Sequence, residues 1–238
     1  MSKTIGILGG MGPMATVDLF EKIVRMTPAS TDQEHYRILI YNNPKIPSRM
    51  AAGLGEGPSP LPELIKTALC LERAGADFLI MPCHTAHIWL KRIQTEITIP
   101  IISMIDTTAD YMKQHVQHLS GRTLLLSTQA TIKHGLYQSA FHNRGLEILI
   151  PTHSEQQIIE SAIERVKASS SDRSFLIPLN DILNRYYEKG ILALLGGCTE
   201  IPLLFPGLHS ALERLDPTIM LAKKAITLAG QTNGGEQQ

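Results

Sequence analysis

The chain has 238 residues, 43% of them hydrophobic and 18% charged, enough for one large or two modest domains with a real core and too apolar for a disordered chain. Lys and Arg total 22, as do Asp and Glu, so the formal net charge is zero; with no basic run, nucleic acid is not expected as the main partner. No stretch reaches the roughly 20 apolar residues of a membrane span, so no membrane is expected.

The N-terminal apolar stretch is broken by Gly6, Gly9, Gly10, Gly12 and Pro13, with no convincing cleavage site after it. It reads as a buried strand and loop rather than a signal peptide. Three cysteines without framework spacing point to free thiols in a reducing compartment, and a cytoplasmic protein is expected.

In chain order, residues 4–8 predict a first strand, Gly9-Gly10-Met11-Gly12-Pro13 a tight loop, and 15–26 a helix. Glycines let backbone approach a ligand, Pro13 suits a first helical turn, and amides at a helix start attract anions. The dinucleotide pattern G-x-G-x-x-G does not fit, and there is no P-loop lysine. A packing loop and an active-site loop both remain as readings; the strand-end position favours the second.

Residues 37–41 predict strand two, which runs into Asn42-Asn43-Pro44-Lys45-Ile46-Pro47-Ser48-Arg49. An arginine in a proline-stiffened loop suits bidentate carboxylate recognition, although a solvated surface arginine is the plainer reading. The Gly- and Pro-rich segment 53–62 predicts a mobile loop, a candidate lid. A helix over 61–74 follows, with Cys70 flanked by leucines and expected to be buried and inert.

The next stretch is Phe78-Leu-Ile-Met-Pro-Cys83-His84-Thr85-Ala86-His87. Helical patterns on both sides mark its apolar run as a buried strand of an α/β unit, which puts Cys83 in the crevice beyond a strand's carboxyl end. A helix over 88–96, a strand over 100–103 and a helix over 106–119 complete the first half, with the boundary near 104–110.

The second half opens with a strand over 122–126 and the hydroxyl-rich loop Ser127-Thr128-Gln129-Ala130-Thr131. A helix over 132–141, a strand over 147–150, a helix over 154–168, a polar linker at 169–172 and a helix over 175–189 follow. The apolar run 191–197 then ends in Cys198-Thr199-Glu200. The last helix, about 218–228, is expected to return to the first half, and 230–238 to fray.

Two of the three cysteines thus end apolar runs and are followed closely by threonine, Thr85 and Thr199. Thr4 to Cys83 spans 79 positions and Thr123 to Cys198 spans 75, so two similar halves would each present one thiol to a shared cleft. A thiol near a helix start is a candidate for a lowered pKa. Two facing thiols could take a proton from carbon on one side and return one on the other, without a cofactor. Two competitors stand beside this. One is a Cys83–His87 nucleophile, which leaves Cys198 without a task. The other is a metal held by Cys83, His84 and His87, for which no ligand spacing speaks.

The motifs Ile7-Leu-Gly-Gly-Met-Gly-Pro-Met-Ala-Thr16, Asn43-Pro-Lys-Ile-Pro-Ser-Arg49, Glu72-Arg-Ala-Gly-Ala-Asp77, Pro82-Cys83-His84-Thr85-Ala86-His87 and Gly196-Gly197-Cys198-Thr199-Glu200 together resemble the aspartate/glutamate racemase family. The resemblance is to its cofactor-independent aspartate and broad-specificity branch, and it covers nearly the whole chain. It implies two pseudo-symmetric α/β domains, each a mostly parallel sheet flanked by helices, with the active site between them: 1–105, joined by the returning helix at 212–230, and 106–211.

The resemblance further implies an isomerase, an acidic amino-acid substrate, no cofactor and no metal, and a homodimer. Cys83 and Cys198 match the family's acid/base thiols, and Arg49 its carboxylate-binding arginine. Lys167 resembles a lysine near the site. Met11, Thr16, Thr85, Thr128, Thr131 and Thr199 fall where the family lines its pocket. The chain departs from the pattern at His84, where the family has an α-carboxylate-binding Asn, and at Ala130, where Gly is commoner. Aspartate racemase is the leading expectation. A broad-specificity racemase or dicarboxylate isomerase comes second, and a ligand-binding homologue impaired by His84 third.

Overall fold

The computed structural model of the chain describes residues 2–168 and 171–231. Part of the predicted linker at 169–172 and most of the predicted tail at 230–238 lie outside the described residues. The first half of the chain runs β1 (Ile5–Gly9), α1 (Pro13–Met26), β2 (Ile38–Asn42), α2 (Arg49–Leu54), α3 (Leu61–Arg73), β3 (Phe78–Ile80), α4 (Leu90–Gln94), β4 (Ile101–Ile102) and α5 (Met104–His115). Then follow β5 (Thr123–Ser127), α6 (Gln129–Lys133), α7 (Leu136–His142), α8 (His153–Lys167), α9 (Leu176–Glu188), β6 (Ala193–Gly197), α10 (Glu200–Leu204), β7 (Glu213–Leu215) and α11 (Pro217–Gly230).

Among the described residues the strands form two parallel sheets, ordered β2-β1-β3-β4 and β5-β6-β7. Every residue of β1, β5 and β6 is buried, as apolar runs without alternation require when helices cover both faces of a parallel sheet. Ile5 pairs with Ile38 on one side and Phe78 on the other. Thr123 pairs with Ala193, and Leu124 makes a lone parallel bridge to Leu149 on the opposite side. The predicted strand at 147–150 is therefore reduced to a bridge, because Pro151, with no N–H, follows at once. The bridge holds the place beside β5 that β2 holds beside β1, so the two sheets repeat one arrangement.

Each sheet is covered by apolar clusters on both faces. Leu64, Ala68 and Leu71 of α3 pack with Leu79 on one face of the first sheet, and Leu19 and Ile23 of α1 pack with Ile5, Ile7 and Ile80 on the other. Helix α11 sends Leu221, Ala222, Ala225 and Ala229 into that second cluster, its alanines allowing close approach to α1. Its Met220 joins Ile105, Ala109 and Met112 of α5 against the second sheet. Helices α5 and α11 therefore contribute to both sheets' cores. Lys22 of α1 adds a polar tie, bonding Asp216 at 2.7 Å at the start of α11.

The structure corrects the reading of Cys70, which is exposed. The buried stripe of α3 is Leu61, Leu64, Thr67, Ala68 and Leu71. At about 100° per residue, Cys70 falls roughly 120° from the middle of that stripe. The predicted lid also changes character. Part of 53–62 is the end of α2, and buried Gly53 accepts a bond from His134 Nε2 at 2.8 Å. The turn at 55–59 is exposed, as is Pro62 in the first turn of α3. The helix predicted over 132–141 breaks at Gly135, whose φ is +62°.

Candidate active site

The strand ends assemble one pocket. Its cavity is about 170 Å³ and is lined by Met11, Ser48, Arg49, Met50, Cys83, His84, Thr85, Glu164, Lys167, Cys198, Thr199 and Glu200. That is below the ≈ 300 Å³ at which drug-sized sites begin, so the space suits a molecule of a few heavy atoms. The predicted residues Met11, Arg49, Cys83, His84, Thr85, Lys167, Cys198 and Thr199 all meet here. Thr16, Thr128 and Thr131 stand behind the wall instead.

Each thiol follows a strand at an equivalent place in its sheet: Cys83 comes after β3 and Cys198 after β6. Both are free, buried cysteines, 6% exposed. The Cys83 turn is held by His87. Met104 N–H donates to His87 Nε2 at 3.0 Å, so that nitrogen is unprotonated, and His87 Nδ1–H donates to the Cys83 carbonyl oxygen at 2.8 Å. Both ring nitrogens are spent on backbone, which removes His87 as a base for the Cys83 thiol. The three groups weighed as metal ligands do not converge either, since His84 Nδ1 meets the Tyr137 hydroxyl at 2.8 Å.

Cys198 is built differently. Its thiol donates to Glu200 Oε2 at 2.8 Å, and Thr199 Oγ1 donates to the same oxygen at 3.2 Å. Burial pushes the Cys198 pKa well up and the Glu200 carboxylate pushes it further, while the Lys167 ammonium pulls it back. The expectation of a lowered pKa at this thiol is therefore overturned. Helix α10 is only five residues long, and its N-terminus does not offset desolvation and a neighbouring carboxylate. The ammonium of Lys167 is itself drawn down by desolvation. Attraction to Cys198 when it ionises, and to the Glu200 carboxylate, outweighs that and holds its pKa above the ordinary value.

Arg49 opens α2. Its Nη1 donates to the Ile46 and Pro47 carbonyl oxygens, both at 2.9 Å, and its buried Nε has no partner among the described residues. The proline-stiffened loop thus pins one corner of the guanidinium and leaves the Nε–Nη2 edge free, the edge that grips a carboxylate bidentately. The glycine loop after β1 is braced from behind: Gly10 N–H donates to Thr16 Oγ1 at 2.9 Å. Gly10 has φ of +96°, and a Cβ there would lie 2.3 Å from the Asn43 backbone, so only glycine lets the two strand-end loops touch. Thr85 is backed in turn by Thr128 at 2.9 Å and Thr131 at 3.1 Å.

Sequence reading passed over Glu200, Ser48, Met50 and Glu164. Glu200 had a signal, an acid two places after a strand-end cysteine. Ser48 caps α2 by accepting from Ala51 N–H at 3.2 Å. Glu164 and Lys167 share a helical face at i, i+3 spacing, but which face meets the pocket depends on how α8 docks. Among the described residues no three His, Cys, Asp or Glu side chains are grouped to hold a metal ion, and no helix is long and apolar enough to cross a membrane.

Comparison with known proteins gives the family of this fold. A curated relative, the broad specificity amino-acid racemase RacX of Bacillus subtilis (strain 168), is 24% identical over 233 residues, covering 94% of this chain and 96% of its own. Among solved structures, an aspartate racemase of Picrophilus torridus superposes with a TM-score of 0.82 at 33% identity, covering 97% of this chain and 95% of that one. The glutamate racemase of Francisella tularensis subsp. tularensis SCHU S4, solved with D-glutamate, shares the fold at a TM-score of 0.69 and 18% identity, over 95% of this chain and 81% of that one. The family model for Asp/Glu/hydantoin racemases matches residues 8–225. With two thiol-bearing strand ends in one small pocket on this fold, the chain belongs to the Asp/Glu/hydantoin racemase family.

Proposed function

We propose that the protein racemises a small acidic amino acid, aspartate foremost, by moving protons at Cα between two thiols without a cofactor. The observation that carries this reading is that Cys83 and Cys198, from equivalent places in the two sheets, line one cavity with Arg49. Arg49 holds the side-chain carboxylate through its free edge, and Lys167 adds positive charge beside it. The Cys83 thiolate takes the proton from Cα and becomes a thiol. The resulting carbanion, spread onto the α-carboxylate, receives a proton from Cys198 on the opposite face, and Cys198 becomes a thiolate. Glu200 favours the protonated Cys198 from which this direction starts. The reverse direction exchanges the two roles.

The test is to incubate the protein with each L- and D-amino acid in deuterated water and follow Cα exchange and optical rotation. Exchange with aspartate that disappears in both Cys83→Ala and Cys198→Ala, with the fold kept, is the expected result. Near-full activity in both directions with either cysteine gone defeats the two-thiol mechanism. A broader amino-acid racemase is the second reading, favoured by the relative RacX matching along 94% of the chain; exchange with neutral amino acids at comparable rates selects it. The reading includes a cytoplasmic homodimer. In its support, Met14, Val17, Phe20 and Val24 leave an apolar row exposed along α1, and sedimentation tests it.

A further inference from the structure

His84 lines the pocket between Cys83 and Thr85 and is only 2% exposed. Its Nδ1 lies 2.8 Å from the Tyr137 hydroxyl, while its Nε2 is buried without a partner among the described residues. Tyr137 is fully buried and held by an edge-on contact with Phe141 at 6.1 Å between ring centroids, so the phenol has little freedom to leave the imidazole. A neutral imidazole carries one N–H and one lone pair, and the bond at one nitrogen decides which lies at the other. The Tyr137 hydroxyl also neighbours Thr108, whose own hydroxyl donates to the Met104 carbonyl oxygen at 2.8 Å; imidazole nitrogen is a stronger acceptor than either a hydroxyl or a phenol oxygen. Tyr137 therefore donates to Nδ1, which leaves the ring proton on Nε2.

We infer that His84 Nε2–H is a hydrogen-bond donor for a substrate carboxylate and that Tyr137 is the positioning residue that fixes this tautomer. The only strong acceptors on an amino acid with a protonated amine are its carboxylate oxygens, so an orphan donor in this pocket matches that group. Burial, and after it the neighbouring His87, holds the His84 pKa well down, and burial keeps Tyr137 protonated, so the pair stays neutral as the arrangement needs. The inference rests on the racemase reading for the identity of the ligand and assigns the carboxylate not held by Arg49.

The test uses the full-length protein labelled with ¹⁵N-histidine, with His84→Asn to assign the His84 ring among the nine histidines. The expected spectrum shows the Nε2–H tautomer, and the Nε2–H proton moves downfield when equilibrated D,L-aspartate is added. Tyr137→Phe is expected to mix the tautomers and weaken aspartate binding by calorimetry about tenfold, equivalent to about 1.4 kcal/mol. His84→Asn, which keeps an N–H donor, should bind aspartate more tightly than His84→Ala, and this pair stands in should Tyr137→Phe not fold. An Nδ1–H ring in the wild type, or equal affinity in His84→Asn and His84→Ala, overturns the inference. Because binding and tautomer are read without turnover, a protein that binds aspartate through Nε2–H but exchanges no Cα proton defeats the racemase reading alone.

Discussion

His87 couples the thiol turn to pH in a way that can be measured. Burial pushes its pKa down from the ordinary 6.5 to about 4, and a second proton on Nε2 would meet the Met104 N–H head-on. Between those values the unfolded chain binds a proton that the folded chain refuses. The stabilisation is therefore complete above pH 6.5 and drains as pH falls toward 4. At about 1.4 kcal/mol per unit, the loss is about 2 kcal/mol at pH 5 and about 3 kcal/mol at pH 4. His84, also held low, adds loss of the same sign, so the effect of His87 must be isolated by substitution.

His87→Gln offers one acceptor and one donor, as the neutral ring does, but has no proton to gain. Urea denaturation followed through Trp89, the only tryptophan and buried in the core of the first sheet, should show the variant losing about 2 kcal/mol less than wild type between pH 7 and pH 5. Parallel pH dependences in the two proteins would refute the assignment of His87 as a neutral strut.

Other outcomes follow from the site. Glu200→Gln should move Cys198 alkylation to lower pH by removing a nearby negative charge, and Lys167→Met should move it to higher pH, both read by mass spectrometry of the Cys198 peptide. Arg49→Lys should cut turnover of aspartate at least about tenfold more than that of alanine, because an ammonium lacks the two-pronged edge; equal losses would show that Arg49 does not read the side-chain carboxylate. Gly55→Ala, at φ of +88° with open space around it, should cost about 1 kcal/mol in thermal denaturation. Gly10→Ala should cost clearly more, because its Cβ meets the Asn43 backbone.

Much of the candidate site was legible because strand ends are legible. Apolar runs that stop at Cys83 and Cys198 place both thiols at carboxyl ends whatever the loops do, and the proline-rich run before Arg49 limits where that side chain can go. Errors came where a side chain's surroundings, not its neighbours in sequence, decide the outcome. Leu69 and Leu71 flank Cys70 in sequence, yet the helix turns it outward. Cys198 stands just before a helix, yet burial and Glu200 raise its pKa. Thr16, Thr128 and Thr131 sit in the expected loops, and only the folded contacts show their hydroxyls bonded to Gly10 and Thr85.

The sequence by itself determined two repeated α/β halves, their strand ends and the residue types offered there, because strand burial and turn chemistry act over a few residues. Tertiary structure alone decided which face of α8 brings Lys167 and Glu164 to the pocket and which carboxylate stands against which thiol. It also decided that His87 and His84 are neutral. Those properties depend on desolvation and on contacts across the 53 positions between His84 and Tyr137, and no local pattern encodes a dielectric environment or a partner brought from that distance.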